Sequence, residues 1–362
     1  MAGPLEELTI VEMAGIGPAP FAGMMLADHG AEIIRIEREG LIGIPNDPLL
    51  RSRRSIALDL KTADARQVVR RLAVKAHGLI DGYRPGVMER LGLGPAELLE
   101  GNPALVYGRV TGWGQDGPLA AAAGHDIDYL AISGLLHGIG PRKRPVVPGN
   151  YIADFAGGGM LLAFAMVAAL LNVQRGGSGQ VIDCAMSDGA ALIGALTYGM
   201  HAAGLWSDER ESNLLDGGSA TYGVYQCSDG RFLAVGAIEP QFRAALLEGL
   251  GLPPDAAKEE VAEAIALRSR DEWTGHFAGT DACVAPVLTL AEAPEHPHNR
   301  ARGAFVRLGG VVQPSPAPRY SATQTAPPSA PREPGADGAA ILTGLGYSAE
   351  QIDQLRREGA LL

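Results

Sequence analysis

Cysteine is scarce in this chain. Only Cys184, Cys227 and Cys283 occur in 362 residues. They lack metal-ligand spacing and cannot all pair, which points to reduced thiols in a cytoplasmic compartment. Positive charge is in deficit as well. Thirty basic against 41 acidic side chains leave a formal charge of −11, which argues against a nucleic-acid partner held by bulk positive potential. No cationic start followed by an apolar signal core is present, and the carboxyl end is not a recognised address. The most apolar run, Met160 to Leu171, spans 12 residues and is too short to cross a bilayer, so no membrane partner is expected. Of eight histidines, His296 and His298 form a His-Pro-His run with no third ligand at suitable spacing, and no metal is expected either.

What is present is globular composition, 46% hydrophobic and 20% charged, at a length that suits two domains. Leu8–Val11 reads as a buried strand, Gly15–Pro18 as a turn, Phe21–Asp28 as a helix closed by Gly30, and Glu32–Ile36 as the next strand. Ser55–Leu58, a helix over Ala63–Lys75, Gly78–Ile80 and Leu105–Val110 continue the alternation. The pattern predicts an α/β fold whose large domain is Rossmann-like with a parallel sheet. Phe155–Gln174 reads as a helix apolar on nearly every face and therefore deeply buried. A strand at Gln180–Asp183 and a helix over residues 187–205 follow. Arg231–Val235, after the turn Cys227–Gly230, opens a smaller α+β domain.

The expected boundaries are residues 1–190 and 310–362 for the large domain, 191–215 for a linker, and 216–309 for the small domain with its return linker. Seven prolines among residues 314–334 mark an extended strap back to the first domain, after which Ser348–Gln351 opens a capped terminal helix.

Four features carry chemistry. Gly15-x-Gly17 follows a strand and precedes a helix, but Pro20 stands where a dinucleotide fingerprint needs its third glycine, and Pro18 and Pro20 remove two N–H donors. The glycines therefore make a turn. Arg35, Arg38, Arg51, Arg53, Arg54 and Arg84 are either an anion site or a solvated, ion-paired surface. In Asn150-Tyr151-Ile152-Ala153-Asp154 the acid falls near a helix start, as an N-cap or as a functional carboxylate. The following Gly157-Gly158-Gly159 suggests close approach of a backbone or a ligand. His125, in Gly124-His125-Asp126, and Glu239, in Ala237-Ile238-Glu239-Pro240, are lone groups that can be structural or catalytic.

Taken in order, Gly15-Ile16-Gly17-Pro18, Gly82-Tyr83-Arg84-Pro85-Gly86-Val87, Glu89–Gly94, Thr111–Gln115, Gly124-His125-Asp126, Asp154 and Val235–Gln241 resemble the family III coenzyme A transferases (CaiB/BaiF) over nearly the whole chain. The His125 and Glu239 motifs favour the branch of that family that racemises 2-methylacyl-CoA thioesters. The resemblance implies that His125 and Asp154 stand on opposite sides of the α-carbon and move its proton through an enolate. It also implies that Asn150 hydrogen-bonds the Asp154 carboxyl and that Glu239 orients the histidine.

Amides at the start of the helix after Asp154 are expected to meet the enolate charge. For the coenzyme, Arg35 or Arg38 is implied to meet phosphate, Ala57-Leu58-Asp59-Leu60 to hold the adenine, and Gly82-Tyr83-Arg84 to line the pantetheine path. No resident cofactor is implied, since coenzyme A is part of the substrate. An interlocked homodimer is implied, in which Glu239 of one subunit serves His125 of the other. The alternative is a true transferase with Asp154 as nucleophile. A third possibility is a silent binder of coenzyme A. One departure bears on substrate choice: the acyl surface around Leu192–Trp206, methionine-rich in the racemases, holds only Met200 here.

Overall fold

The computed structural model describes residues 2–38 and 44–362. The chain divides into two compact units: Met1–Ser133, Gly149–Ile193 and Gly303–Leu362 in the first, and Gly134–Pro148 with Gly194–Arg302 in the second.

The first unit is built on a six-stranded parallel sheet. Its strands are β1 (Thr9–Met13), β2 (Glu32–Glu37), β3 (Arg53–Ala57), β4 (Gly78–Asp81), β5 (Val106–Thr111) and β6 (Gln180–Ala185), in the spatial order β3-β2-β1-β4-β5-β6. Chain order reverses beside β1, and in such sheets ligands bind outside the carboxyl ends of the strands at that reversal. Helix α1 (Pro18–Asp28) starts on Gly17 at φ +69°, with Pro18 supplying a pre-set φ for the first turn. Helix α2 (Ala63–Lys75) buries Ala65, Val68, Val69, Leu72 and Ala73, a 3.6-residue stripe, against the sheet. The Thr62 hydroxyl caps it by accepting from the Ala65 amide at 3.2 Å, a bond whose loss typically costs about 1 kcal/mol.

The arginine cluster resolves into structure. Glu12 of β1 is fully buried and pairs with Arg35 of β2 and Arg53 of β3, and Arg35 also reaches Glu37 at 2.9 Å. Arg51 pairs with Asp28 and donates to Gln313 at 3.0 Å, and Arg54 pairs with Glu32. These guanidiniums tie strand to strand and strap to helix. The strap is extended, as expected: Ser52 and Ser329 exchange bonds, and Gly335 and Asp337 bind Ser55. Ser348 then caps the terminal helix reciprocally with Gln351. The last residues lie against β3, with Leu362 N–H donating to Ala57 and Asp59 N–H to Ala360.

The apolar segment differs from its sequence reading in length, form and burial. Tyr151–Met160 is a π-helix that runs on into helix α4, Leu161–Gln174. The joined helix has 24 residues, enough by length and composition to cross a membrane. It is not deeply buried on every side: Met160, Phe164, Val167 and Leu171 lie on one face and are exposed, Phe164 by 70%. The inward face packs on α1, on β5 and on helix α5 (Met186–Ile193).

The second unit contains the antiparallel sheet β7 (Tyr222–Gln226), β8 (Phe232–Gly236) and β9 (Val284–Pro286). Tyr225, Leu233 and Val235 point from it into a core with Leu246, Val261 and Trp273.

Candidate active site

Asp154 lies in the first turn of the π-helix, a rare form that recurs at functional sites. A helix start leaves its first amides without partners, and here a neighbouring element supplies one. Oδ2 of Asp126, the first residue of helix α3 (Asp126–Ile132), accepts from the amides of Ala153 at 2.9 Å and Asp154 at 2.8 Å. The Asp154 carboxyl is half-buried. Its Oδ2 accepts from Asn150 Nδ2 at 3.3 Å and faces Gly17, where a Cβ would lie 3.4 Å away. Burial raises the proton affinity of this carboxyl above the ordinary range. The Asn150 bond opposes the rise, the Asp126 charge adds to it, and His125 opposes it.

His125 directly precedes α3 in an extended conformation, its ring exposed and its amide held by Asp128 at 2.9 Å. His125 bears electrostatically on Asp154, the smallest of the influences on that carboxyl. Tyr129, one turn along α3, also feels the Asp154 charge; burial first, then that charge, pushes its hydroxyl up to about 12. The Tyr129 ring fills space left by two glycines, since a Cβ on Gly112 would stand 2.3 Å from it and one on Gly124 2.7 Å. Trp113 packs edge-on against it at 4.7 Å.

A second group of residues gathers at the carboxyl ends of β2, β3 and β4. Arg38 is exposed just beyond β2, and its charge bears on the half-buried Tyr83 beyond β4. Arg84 is exposed and reaches Tyr129 electrostatically. Neither Arg38 nor Arg84 forms an ion pair among the described residues. Beneath them burial pushes Asp81 up to about 6, and its Oδ1 accepts from the Tyr83 amide at 2.9 Å, fixing the turn.

Set beside known proteins, residues 5–338 match the model of CoA-transferase family III. The chain is 44% identical over 370 aligned positions to the alpha-methylacyl-CoA racemase of Mus musculus, covering 98% of this chain and 96% of that one. It is 42% identical to the alpha-methylacyl-CoA racemase of Homo sapiens, at the same coverage. A CAIB/BAIF family protein from Brucella suis superposes with a TM-score of 0.83 at 26% identity, over 95% of this chain and 100% of that one. The chain belongs to CoA-transferase family III.

Within this family member the expected site residues divide. His125, Asn150 and Asp154 come together, with Gly17 opposite. Arg35 does not face a ligand: it is buried and consumed by Glu12, Glu37 and the Gly15 carbonyl, so of the two candidates Arg38 alone presents a guanidinium outward. In Ala57-Leu58-Asp59-Leu60 the Leu58 side chain is fully buried in the core. That segment therefore offers a ligand only backbone and the half-buried Asp59 and Leu60.

The expected enolate donors are also corrected. The helix begins at Tyr151, so amides after Asp154 lie inside it, and those of Ala153 and Asp154 are taken by Asp126. Amides beside the site that donate to nothing among the described residues are those of Asp126 and Ile127, next to His125. The three glycines accommodate protein: a Cβ on Gly157 would meet Ala190 N at 2.8 Å, and one on Gly159 the Pro18 carbonyl at 2.8 Å. Glu239 belongs to the second unit, exposed at the N-cap of the Pro240–Leu250 helix. Asp126 and Tyr129 were missed as site residues, because the Asp154 turn that each of them meets lies 25 or more positions away in sequence.

Proposed function

We propose that this chain interconverts (2R)- and (2S)-2-methylacyl-CoA thioesters by 1,1-proton transfer. The observation that carries the reading is the Asp154 carboxyl, held by Asn150, its proton affinity raised first by burial and its charged form favoured by the field of His125. A carboxyl with raised proton affinity can act as acid at neutral pH, and a neighbouring imidazole can act as its counterpart base. In one direction His125 takes the α-proton and the Asp154 carboxyl returns one to the opposite face. The enzyme is then left with imidazolium and carboxylate, which is the state required for the reverse reaction. The intervening enolate bears its charge on the thioester oxygen, where the amides of Asp126 and Ile127 can donate.

Arg38 and Arg84, without ion pairs among the described residues, supply cations for the phosphates and the pantetheine path. The reading assigns no resident cofactor. It includes a homodimer, in which Glu239 serves the histidine of a second copy, and a cytoplasmic setting, with which the free thiols of Cys184, Cys227 and Cys283 accord.

The test is incubation of (S)-2-methylacyl-CoA with the protein in deuterated water. Loss of chirality with deuterium appearing at the α-carbon is expected, and His125→Ala or Asp154→Ala should each lower the rate by about 10³-fold with coenzyme A affinity nearly unchanged. Movement of coenzyme A to a free acid with chirality retained would assign a transferase instead, with Asp154 as nucleophile.

A further inference from the structure

One carboxylate at the site takes no part in the proton transfer described above. Asp126 is buried, its Oδ2 serves two consecutive amides of the π-helix, and its Oδ1, buried too, has no hydrogen-bond partner among the described residues. An uncharged cap could satisfy the same amides without burying a charge beside another carboxyl. The residue is also the peptide neighbour of His125, so one short stretch of backbone carries both the base and the clamp. We propose that Asp126 is a positioning residue for the epimerisation, its carboxylate locking the turn that bears Asp154 to the start of the helix that follows His125. This inference rests on the reading of His125 and Asp154 as the acid/base pair.

The position has an electrostatic consequence. The Asp126 charge disfavours ionisation of Asp154 and keeps the carboxyl protonated to higher pH. The other groups around Asp154 are few. Asn150 faces it from its own helix, and His125 and Tyr129 from α3. Gly17 at the start of α1 brings no ionisable group, and α4 contains none. Asp183 of β6 and Asp188 of α5 bear on Cys184 instead, and Arg109 of β5 is taken by Asp81 and Glu89.

The experiment follows epimerisation of (S)-2-methylacyl-CoA across pH with wild type, Asp126→Asn and Asp126→Ala, circular dichroism reporting the fold of each. Asparagine keeps an oxygen for the two amides and removes the charge. The acid limb of its kcat/KM profile should move to lower pH, with kcat lowered about tenfold and KM changed less than about threefold. Alanine also orphans the amides and should lower kcat about 100-fold or more. An acid limb that stays in place in folded Asp126→Asn, beside an active wild type, overturns the proposal. So does loss of fold in both variants, which would make Asp126 a residue of stability alone. A wild type that leaves chirality and the α-proton untouched removes the acid/base reading, and this inference with it.

Discussion

At the scale of the residue, the site sets two influences on Asp154 against each other. Asn150 donates to the charged form and draws the carboxyl toward ionisation, whereas burial and Asp126 push it the other way. Asn150→Ala should therefore move the acid limb of the pH–rate profile upward, by roughly half a pH unit, opposite in sign to Asp126→Asn. Titrating initial rates of both variants against wild type checks the pair of directions, and a shift of the same sign in both would contradict the geometry. The Asn150–Asp154 hydrogen bond was legible in the sequence because both residues sit in a short motif of a recognisable family. Arg35 was misread for a physical reason. Composition reports how many guanidiniums a segment has but not which acids lie across the sheet from them, and Glu12 is 23 positions away in sequence yet directly opposite in register.

At the scale of the element, the six strands of the parallel sheet and the helices near residues 21–28 and 63–75 were readable to within two or three residues, since periodicity, glycine stops and capping residues are local signals, whereas the short helices Pro95–Gly101 and Asp126–Ile132 were not read. Ala63–Lys75 and the Ser348 cap coincide with their expected places. The π-helix was not readable, because its cause lies elsewhere in the chain: Asp126 takes two of its early amides, and α5 presses against its glycines. The crossing is tight on both sides. A Cβ on Gly189 would stand 2.0 Å from the Gly157 carbonyl oxygen, which nothing flexible can relieve. Gly189→Ala should lower the stability of the protein to urea by about 3 kcal/mol and, by shifting the π-helix, lower kcat as well. A neutral outcome in both measurements would show that the two helices can part without consequence.

At the scale of the whole molecule, the apolar composition of residues 160–171 predicted burial, and the face bearing Met160, Phe164, Val167 and Leu171 is exposed in the single chain. An apolar face of this kind marks a contact surface, and the homodimer proposed above is the partner it suits. Sedimentation should find a dimer at micromolar concentration, and Phe164→Glu should weaken its association by about tenfold or more, since it places a charge where about 70% of an aromatic side chain is now bare. A monomer in wild type, or an unaltered dimer in the variant, would remove this face from the interface.

The two margins of the parallel sheet are unlike. Along β3 the strap and the final residues of the chain occupy the outward backbone groups, through Ser329, Asp337 and Leu362, whereas β6 pairs, among the described residues, with β5 alone and its first residues are exposed. A ribbon stopped at one border and open at the other has no way to repeat itself end to end. Joining of copies through this sheet can use only the β6 border and ends at two, a brake on fibre growth along this ribbon.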